Sequence, residues 1–361
     1  MGGTGKLYLN TGNISYNYAG NASQSGKGNG AGISCASGTN ITMSGGTIDG
    51  NNAYSKGGGV YLKSAAFTMS GGTIGDGSKN EPAKSDTGKY SNKASSGAGI
   101  YADESSSLTI NNSSCKINYN YASNGGGIYW NGSTLSVTDG NISYNGCTSC
   151  GGGIYFAAGA TLNKVTFTKN QAKSKGGAFY IDGSKTVTVS GAAAFTENST
   201  TSTSNYTGGG AVFIETGCSL NVTGSATFTK NQAGAYGGAI YNYGTLTLSN
   251  GTFTGNKATG ATGKGGAIYQ QGTLNMSGAP YMKDDDHSEK INDIYLPSGK
   301  KISVTDKITS IYAGYITPAS WPTYGSTVSV LEGSASALSY SYDKFWSSID
   351  GHMFDDSGNM H

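Results

Sequence analysis

Acid–base chemistry on a sugar chain needs two carboxylates held close together, or carboxylates gathered on calcium with a cationic base beside them. This sequence scatters its acids. Asp49, Asp76, Asp103, Glu104, Asp139, Asp182, Glu197 and Glu215 do not recur at matching phases of its internal repeat. The one dense acidic run, Asp284-Asp285-Asp286-His287 with Glu289 nearby, offers hard oxygens for calcium, but its spacing is that of no known calcium loop. A solvated turn is the plainer reading. Cys147-Thr148-Ser149-Cys150 is a single CxxC, and structural zinc needs a second ligand pair that the sequence lacks. A local disulfide or two free thiols is expected there. His352 and His361, near Asp355 and Asp356, read as tail solvation. No catalytic residue, metal site or cofactor is therefore expected.

Charge narrows the field further. All 23 basic residues are lysine and the net charge is +2. The chain lacks the forked guanidinium best suited to phosphate, and it has no strong field to draw nucleic acid or an anionic membrane. The five cysteines, Cys35, Cys115, Cys147, Cys150 and Cys218, are odd in number and irregular in spacing, which is not a disulfide framework. No stretch is long and apolar enough to span a membrane, and residues 1–6 lack the features of a signal peptide. The chain is read as a fragment of a longer protein, or as one whose export segment is missing.

The elements that would position any site come from an internal repeat. The first anchor is a run of small residues followed by an apolar one. It stands at Gly30-Ala31-Gly32-Ile33, Gly57-Gly58-Gly59-Val60, Gly97-Ala98-Gly99-Ile100, Gly125-Gly126-Gly127-Ile128 and Gly151-Gly152-Gly153-Ile154. It returns at Gly176-Gly177-Ala178-Phe179, Gly209-Gly210-Ala211-Val212, Gly237-Gly238-Ala239-Ile240 and Gly265-Gly266-Ala267-Ile268. The second anchor is an apolar residue followed three positions later by Asn: Ile14/Asn17, Ile48/Asn51, Ile117/Asn120, Ile142/Asn145, Phe167/Asn170, Phe195/Asn198, Phe228/Asn231 and Phe253/Asn256. After Ile74 the pattern breaks, with Gly77 in the asparagine position. Between the anchors lies an apolar pair of period two, from Ile41/Met43 to Leu274/Met276.

Each unit thus holds three short alternating runs, the signal of strands and not of a helix. Such a unit cannot bury its apolar side alone, whereas stacked units close one core. The fold expected is all-β: a right-handed parallel β-helix, a single-stranded solenoid of about nine to ten coils over residues 1–312, with a C-terminal cap over 313–361. In the cap, Trp321 and Trp346 are expected to cover the open end. Glycine runs suit corners that need positive φ. The asparagines, Asn17, Asn51, Asn120, Asn145, Asn170, Asn198, Asn231 and Asn256, suit corners for a similar reason and can form an amide ladder.

Alternation then assigns the outer faces. The residue after each glycine-run hydrophobe points outward, giving the column Tyr61, Tyr101, Tyr129, Tyr155, Tyr180, Phe213, Tyr241 and Tyr269. This aromatic ladder is the candidate ligand-binding face for sugar rings or a protein partner; simple stacking between coils is the alternative. Threonine columns such as Thr166/Thr168, Thr227/Thr229 and Thr252/Thr254 have the form of an ice-binding array, though strand propensity explains them equally. Insertions are placed at one corner, between the asparagine and the next glycine run, the largest at 77–96 and another at 199–208. They carry Lys27, Lys56, Lys79, Lys84, Lys89, Lys93, Lys173, Lys175, Lys257 and Lys264, read as a solvated rim or an edge for acidic glycans.

The pairing of a GGA[ILV]-type motif with an FxxN-type motif resembles the polymorphic outer-membrane protein repeat of bacterial surface β-helices, among them autotransporter passengers and adhesins. The resemblance covers roughly residues 1–290. It implies display outside a bacterial cell and adhesion, with a glycan or a host or matrix protein as partner. Neither a signal peptide nor a C-terminal membrane barrel is found, so the mode of anchoring is open. The expectation is a non-catalytic adhesin-like protein; the alternatives are a polysaccharide lyase or glycoside hydrolase, or a structural stalk.

Overall fold

The computed structural model describes residues 5–20, 28–76, 91–283, 290–348 and 351–361. The readings placed on Lys27, Lys79, Lys84, Lys89, Asp284, Asp285, Asp286, His287 and Glu289 fall outside these residues. The chain forms a right-handed parallel β-helix whose strands stack coil upon coil in three sheets. The glycine-run strands, Ile33–Cys35 onward, make a 12-stranded face. The period-two pair and the strand before each asparagine together make a 19-stranded face, because in three coils they fuse into single strands, Ser107–Asn118, Thr134–Ser143 and Ala160–Thr168. Strands of two to four residues after the asparagines, such as Asn52–Ala53 and Tyr121–Asn124, make a 9-stranded face.

The repeat anchors are the register itself. Ile100 pairs with Val60 on one side and Ile128 on the other, and Ile128 continues to Ile154. Phe167, Phe195, Phe228 and Phe253 lie in one line. These residues are buried in one continuous core with Met43, Leu108, Trp130, Val189 and Leu248. The first glycine of a run sits at a left-handed corner: at Gly151, φ is +71° and a Cβ would lie 2.4 Å from the Ile154 carbonyl oxygen.

The asparagine ladder is real and longer than the spacing suggests. Asn51 Nδ2 donates to Asn92 Oδ1 at 3.0 Å, and Asn92 Nδ2 to Asn120 Oδ1 at 2.9 Å. Asn92 therefore fills the place left after Ile74, and Asn292 extends the ladder beyond Asn256 at 2.9 Å. This corrects the placement of the long insertion. Residues 77–90 precede the ladder asparagine of their coil, whereas 199–208 follow theirs. An insertion ahead of the corner delays the asparagine without removing it, since the corner's amide groups still need the same partner.

The corner also corrects the conformational role given to asparagine. The left-handed residue is the one before it: Tyr16, Tyr119, Tyr144, Lys169, Glu197 and Lys230 have φ between +52° and +59°. Gly50 and Gly255 hold the same place before Asn51 and Asn256. Of the ladder asparagines described, Asn292 alone has positive φ. Asparagine is there for its amide. A side chain in the left-handed region costs about 1–2 kcal/mol, partly offset by the entropy glycine loses on folding. Lys230 is exposed. Lys230→Gly is expected to leave the urea midpoint unchanged or raise stability by up to ~1 kcal/mol, while Lys230→Val lowers it by about 1–2 kcal/mol.

Strand pairing does not stop at residue 312. Ile294–Leu296 pairs with Gly314–Pro318, which pairs with Phe345–Ser347, and Ile302–Ile308 pairs with Leu331–Gly333. The helix Ala335–Ser341 lays Ala337 and Leu338 on the core, joined by Phe345 and Met360. Of the two tryptophans expected to cover the end, Trp321 packs partly against the core, but Trp346 is 46% exposed. Trp346 follows the inward Phe345, so alternation turns it outward. His352 and His361 are not a loose tail either. His352 stacks on Trp321 at 5.0 Å, and His361 Nε2 lies 2.9 Å from Asp355 Oδ2.

Candidate functional site

The outward column exists as a stack. Ring centroids of Tyr101, Tyr129 and Tyr155 are 4.8 and 4.6 Å apart with planes within 11°. Tyr180, Phe213, Tyr241 and Tyr269 continue it at tilted or edge-on angles, and Tyr295 extends it at 5.3 Å from Tyr269. Stacking along the axis has a consequence for recognition. The stacked rings of Tyr101, Tyr129 and Tyr155 cover one another's faces and turn their edges outward. Tyr61, Tyr101, Tyr180, Phe213, Tyr241 and Tyr295 are buried; Tyr129, Tyr155 and Tyr269 are partly exposed. The column is thus not the open flat platform that alternation alone suggests.

What covers it follows a rule of one coil. At four of the glycine runs the lysine or tyrosine immediately before the run lies over the column ring of the next coil. Lys56 Nζ is 4.4 Å from the Tyr101 ring centre, Lys175 Nζ 4.5 Å from Phe213 and Lys264 Nζ 4.5 Å from Tyr295. Tyr236 does the same to Tyr269 at 4.5 Å. Lys56, Lys175 and Lys264, expected on a solvated rim or an edge for acidic glycans, lie as cation–π lids on these rings. Where the lid position is Ser96 or Asn124, the rings beneath, Tyr129 and Tyr155, stay partly open.

The acids correct a second expectation. Asp182 and Glu215 follow Ile181 and Ile214, which pair directly across adjacent coils, so two carboxylates do share a phase. Both are committed to the column. Tyr155 Oη donates to Asp182, and Tyr180 Oη to Glu215 at 2.9 Å. Lys175 Nζ donates to the same Glu215 oxygen at 2.8 Å. Burial pushes the Glu215 carboxyl up, but the Lys175 and Tyr180 donors outweigh it and leave the pKa below its ordinary value. Tyr61 is bound in the same way to Asp103 at 3.1 Å, and burial followed by that carboxylate pushes its hydroxyl up to about 12. Each such bond ties one coil to the next. Counting from the column, not from the asparagine, would have revealed the phase: Asp103, Asp182 and Glu215 each stand two residues after a column aromatic.

The insertion at 199–208 reaches this face. After Asn198, residues 199–208 fold back so that Tyr206 stacks on Tyr243 at 5.7 Å, and Tyr243 lies 4.9 Å from Tyr241 and 5.9 Å from Phe213. Tyr206 is 64% exposed and has φ +63°, an uncommon conformation for a bulky residue. The loop is braced around it. Thr207 Oγ1 donates to the Ser204 and Ser202 carbonyls, and Tyr236 Oη to Asn205 Oδ1 at 3.1 Å. Sequence reasoning missed Tyr206, and the only signal for it was an aromatic at the tip of an otherwise Ser/Thr-rich loop.

The remaining candidates have simpler places. All five cysteines are free thiols, and burial pushes Cys147 and Cys150 up. Among the described residues no cluster of three or more His, Cys, Asp or Glu can hold a metal, and no helix is long and apolar enough to cross a membrane. The threonine pairs line up over four coils, with Ala194 interrupting the row of Thr166, Thr227 and Thr252.

Two family descriptions match the sequence. The right handed beta helix region matches residues 8–194. The Chlamydia polymorphic membrane protein repeat matches residues 225–243 and 250–271, which hold Phe228/Asn231 with Gly237–Ile240 and Phe253/Asn256 with Gly265–Ile268. No curated protein and no solved structure matches the chain.

Proposed function

The chain belongs to the right-handed β-helix family, and from that premise we propose that it is a bacterial surface or secreted protein that binds glycans without cleaving them. The polymorphic membrane protein repeats support the surface placement. The binding reading rests on Tyr206. The column rings from Tyr101 to Tyr269 each have a ring neighbour on both sides. Tyr206 ends a side branch that leaves the column through Tyr243, so among the described residues only one of its faces has a ring against it, and it is held in an unusual backbone conformation by a braced loop. A preorganised, exposed aromatic at the head of an aromatic patch is the arrangement that stacks against the apolar face of a sugar ring or anchors a partner.

A panel of polysaccharides and matrix proteins, read both for saturable binding and for chain cleavage, tests this. Binding to a glycan without cleavage is expected, and Tyr206→Ala should weaken it about tenfold, the equivalent of ~1.4 kcal/mol, with an unchanged circular-dichroism melt. Binding to a matrix protein alone would keep the adhesive role and replace the ligand. The shared phase of Asp182 and Glu215 favours one competing reading, that of an enzyme. Cleavage abolished by Glu215→Gln but not by Tyr206→Ala would establish that reading and overturn ours.

A further inference from the structure

The aromatic stack ends at Tyr295, and beside it opens a cleft of about 290 Å³ between residues 261–264 and the strand Gly314–Pro318. Lys264, Lys290, Tyr295, Thr317 and Trp321 line it above Asp293. Its volume is just below the range of about 300–1,000 Å³ usual for drug-sized ligands, which suits a single ring better than a chain.

The floor is rigid. Asp293 is fully buried and accepts from Gly266 N at 2.5 Å, Lys290 N at 3.0 Å and Thr317 Oγ1 at 2.6 Å. Thr317 Oγ1 in turn lies 2.6 Å from Ser348 Oγ. One carboxyl thereby ties the last glycine run, the Lys290 turn and the capping strands together. Burial pushes it up to about 6 against those donors. With its oxygens taken up by backbone and hydroxyl donors, Asp293 shapes the cleft more than it offers acceptors to a ligand.

The walls supply donors and aromatic surface. Lys264 Nζ donates to Tyr295 Oη at 2.7 Å, and Lys290 Nζ to the Ala261 carbonyl at 3.0 Å. An ammonium has three donors, so each lysine is anchored by one bond with further N–H groups to give. Trp321 is backed by His352 at 5.0 Å, an arrangement that holds the indole in place. Two anchored cations and an aromatic wall around a one-ring space select a ring that carries a carboxylate.

We infer that this cleft binds one acidic sugar residue, a hexuronate, with its carboxylate between Lys264 and Lys290 and its ring against Trp321. The site is separate from the Tyr206 patch, and the two stand or fall independently.

The whole chain is titrated with sodium glucuronate, with glucose as the neutral match, following tryptophan fluorescence and saturation-transfer NMR. Glucuronate is expected to saturate in the millimolar range and to bind at least about tenfold tighter than glucose. Added salt should weaken it, as a contact between charges requires. Lys264→Gln and Lys290→Gln should each weaken it about tenfold, while Tyr206→Ala leaves it unchanged. If Lys264→Gln disturbs Tyr295 and the fold, Lys290→Gln alone carries the test, because its ammonium contacts only a loop carbonyl among the hydrogen bonds described. Failure to saturate, equal binding of glucose, native affinity in Lys290→Gln, or displacement by sulfate as effective as by glucuronate would each overturn the assignment.

Discussion

Asn145→Ala is expected to lower the unfolding free energy by about 4 kcal/mol, seen as a large fall in the urea midpoint by circular dichroism. Asn145 is fully buried in the middle of the ladder. Its Nδ2 donates to the Ile117 carbonyl at 2.8 Å and to Asn170 Oδ1 at 3.0 Å. Its Oδ1 accepts from Asn120 N at 3.1 Å and Asn120 Nδ2 at 2.9 Å. Alanine removes all four bonds and leaves the partners in a site closed to water. A buried group left without its bond costs about 1–3 kcal/mol, and partial re-pairing keeps the total below the simple sum. The first ladder residue is the control. Asn17 lies at the exposed end of the ladder, and Asn17→Ala should cost about 1 kcal/mol, the net worth of an ordinary hydrogen bond. Equal effects at the two positions would show that the ladder does not act through burial. A lower denaturant slope in Asn145→Ala would mean that the coils on either side of the break no longer unfold together.

Phe228→Ala should be comparably severe, about 3–5 kcal/mol by the same measurement. Phe228 has no exposed surface and lies between Phe195 at 4.6 Å and Phe253 at 4.5 Å, with planes within 7° of each. The loss combines the transfer of a large ring with the cavity left behind, and strands paired on both sides restrict the collapse that would relieve it. Phe228→Leu should cost about 1–2 kcal/mol, because the earlier coils carry Ile48, Ile117 and Ile142 in this position and show that a branched aliphatic residue fits the same inward site. An alanine variant no less stable than the leucine variant would contradict a tightly packed column. Neither substitution touches the Tyr206 patch or the Lys264–Lys290 cleft, so ligand affinity per folded molecule should be unchanged in both.

Much of this fold was legible because it repeats. Ile100 over Ile128, the column from Tyr61 to Tyr269 and most of the asparagine ladder are single positions copied once per coil, and a phase counted in one coil holds in the next. The glycine corners were legible for a local reason: residues such as Gly151 take a left-handed conformation that disfavours side chains. The misreadings arose where an insertion moved the phase or where a contact ran between coils. Asn92 was hidden by residues 77–90, although an Asn followed five residues later by Gly97 was in plain view. The left-handed place before most of the asparagines was hidden because Tyr, Lys and Glu occupy it more often than glycine does.

The amino-acid sequence by itself determined the coil: three short runs, the inward and outward sides of each, and the corners between them. These follow from alternation and backbone sterics, which act within a few residues. Only the tertiary structure decided what the outer surface offers a ligand. Stacking turned the tyrosine faces toward one another, the lysine before each of three glycine runs swung over the ring of the next coil, and Asp182 met Glu215 across one strand spacing. It also decided that Tyr206 should stack on Tyr243 beside the column and that Asp293 should join the last glycine run to the capping strands. Each of these is a contact between residues about one coil apart or more, whose existence depends on side-chain direction and loop length together. A count along the chain carries neither.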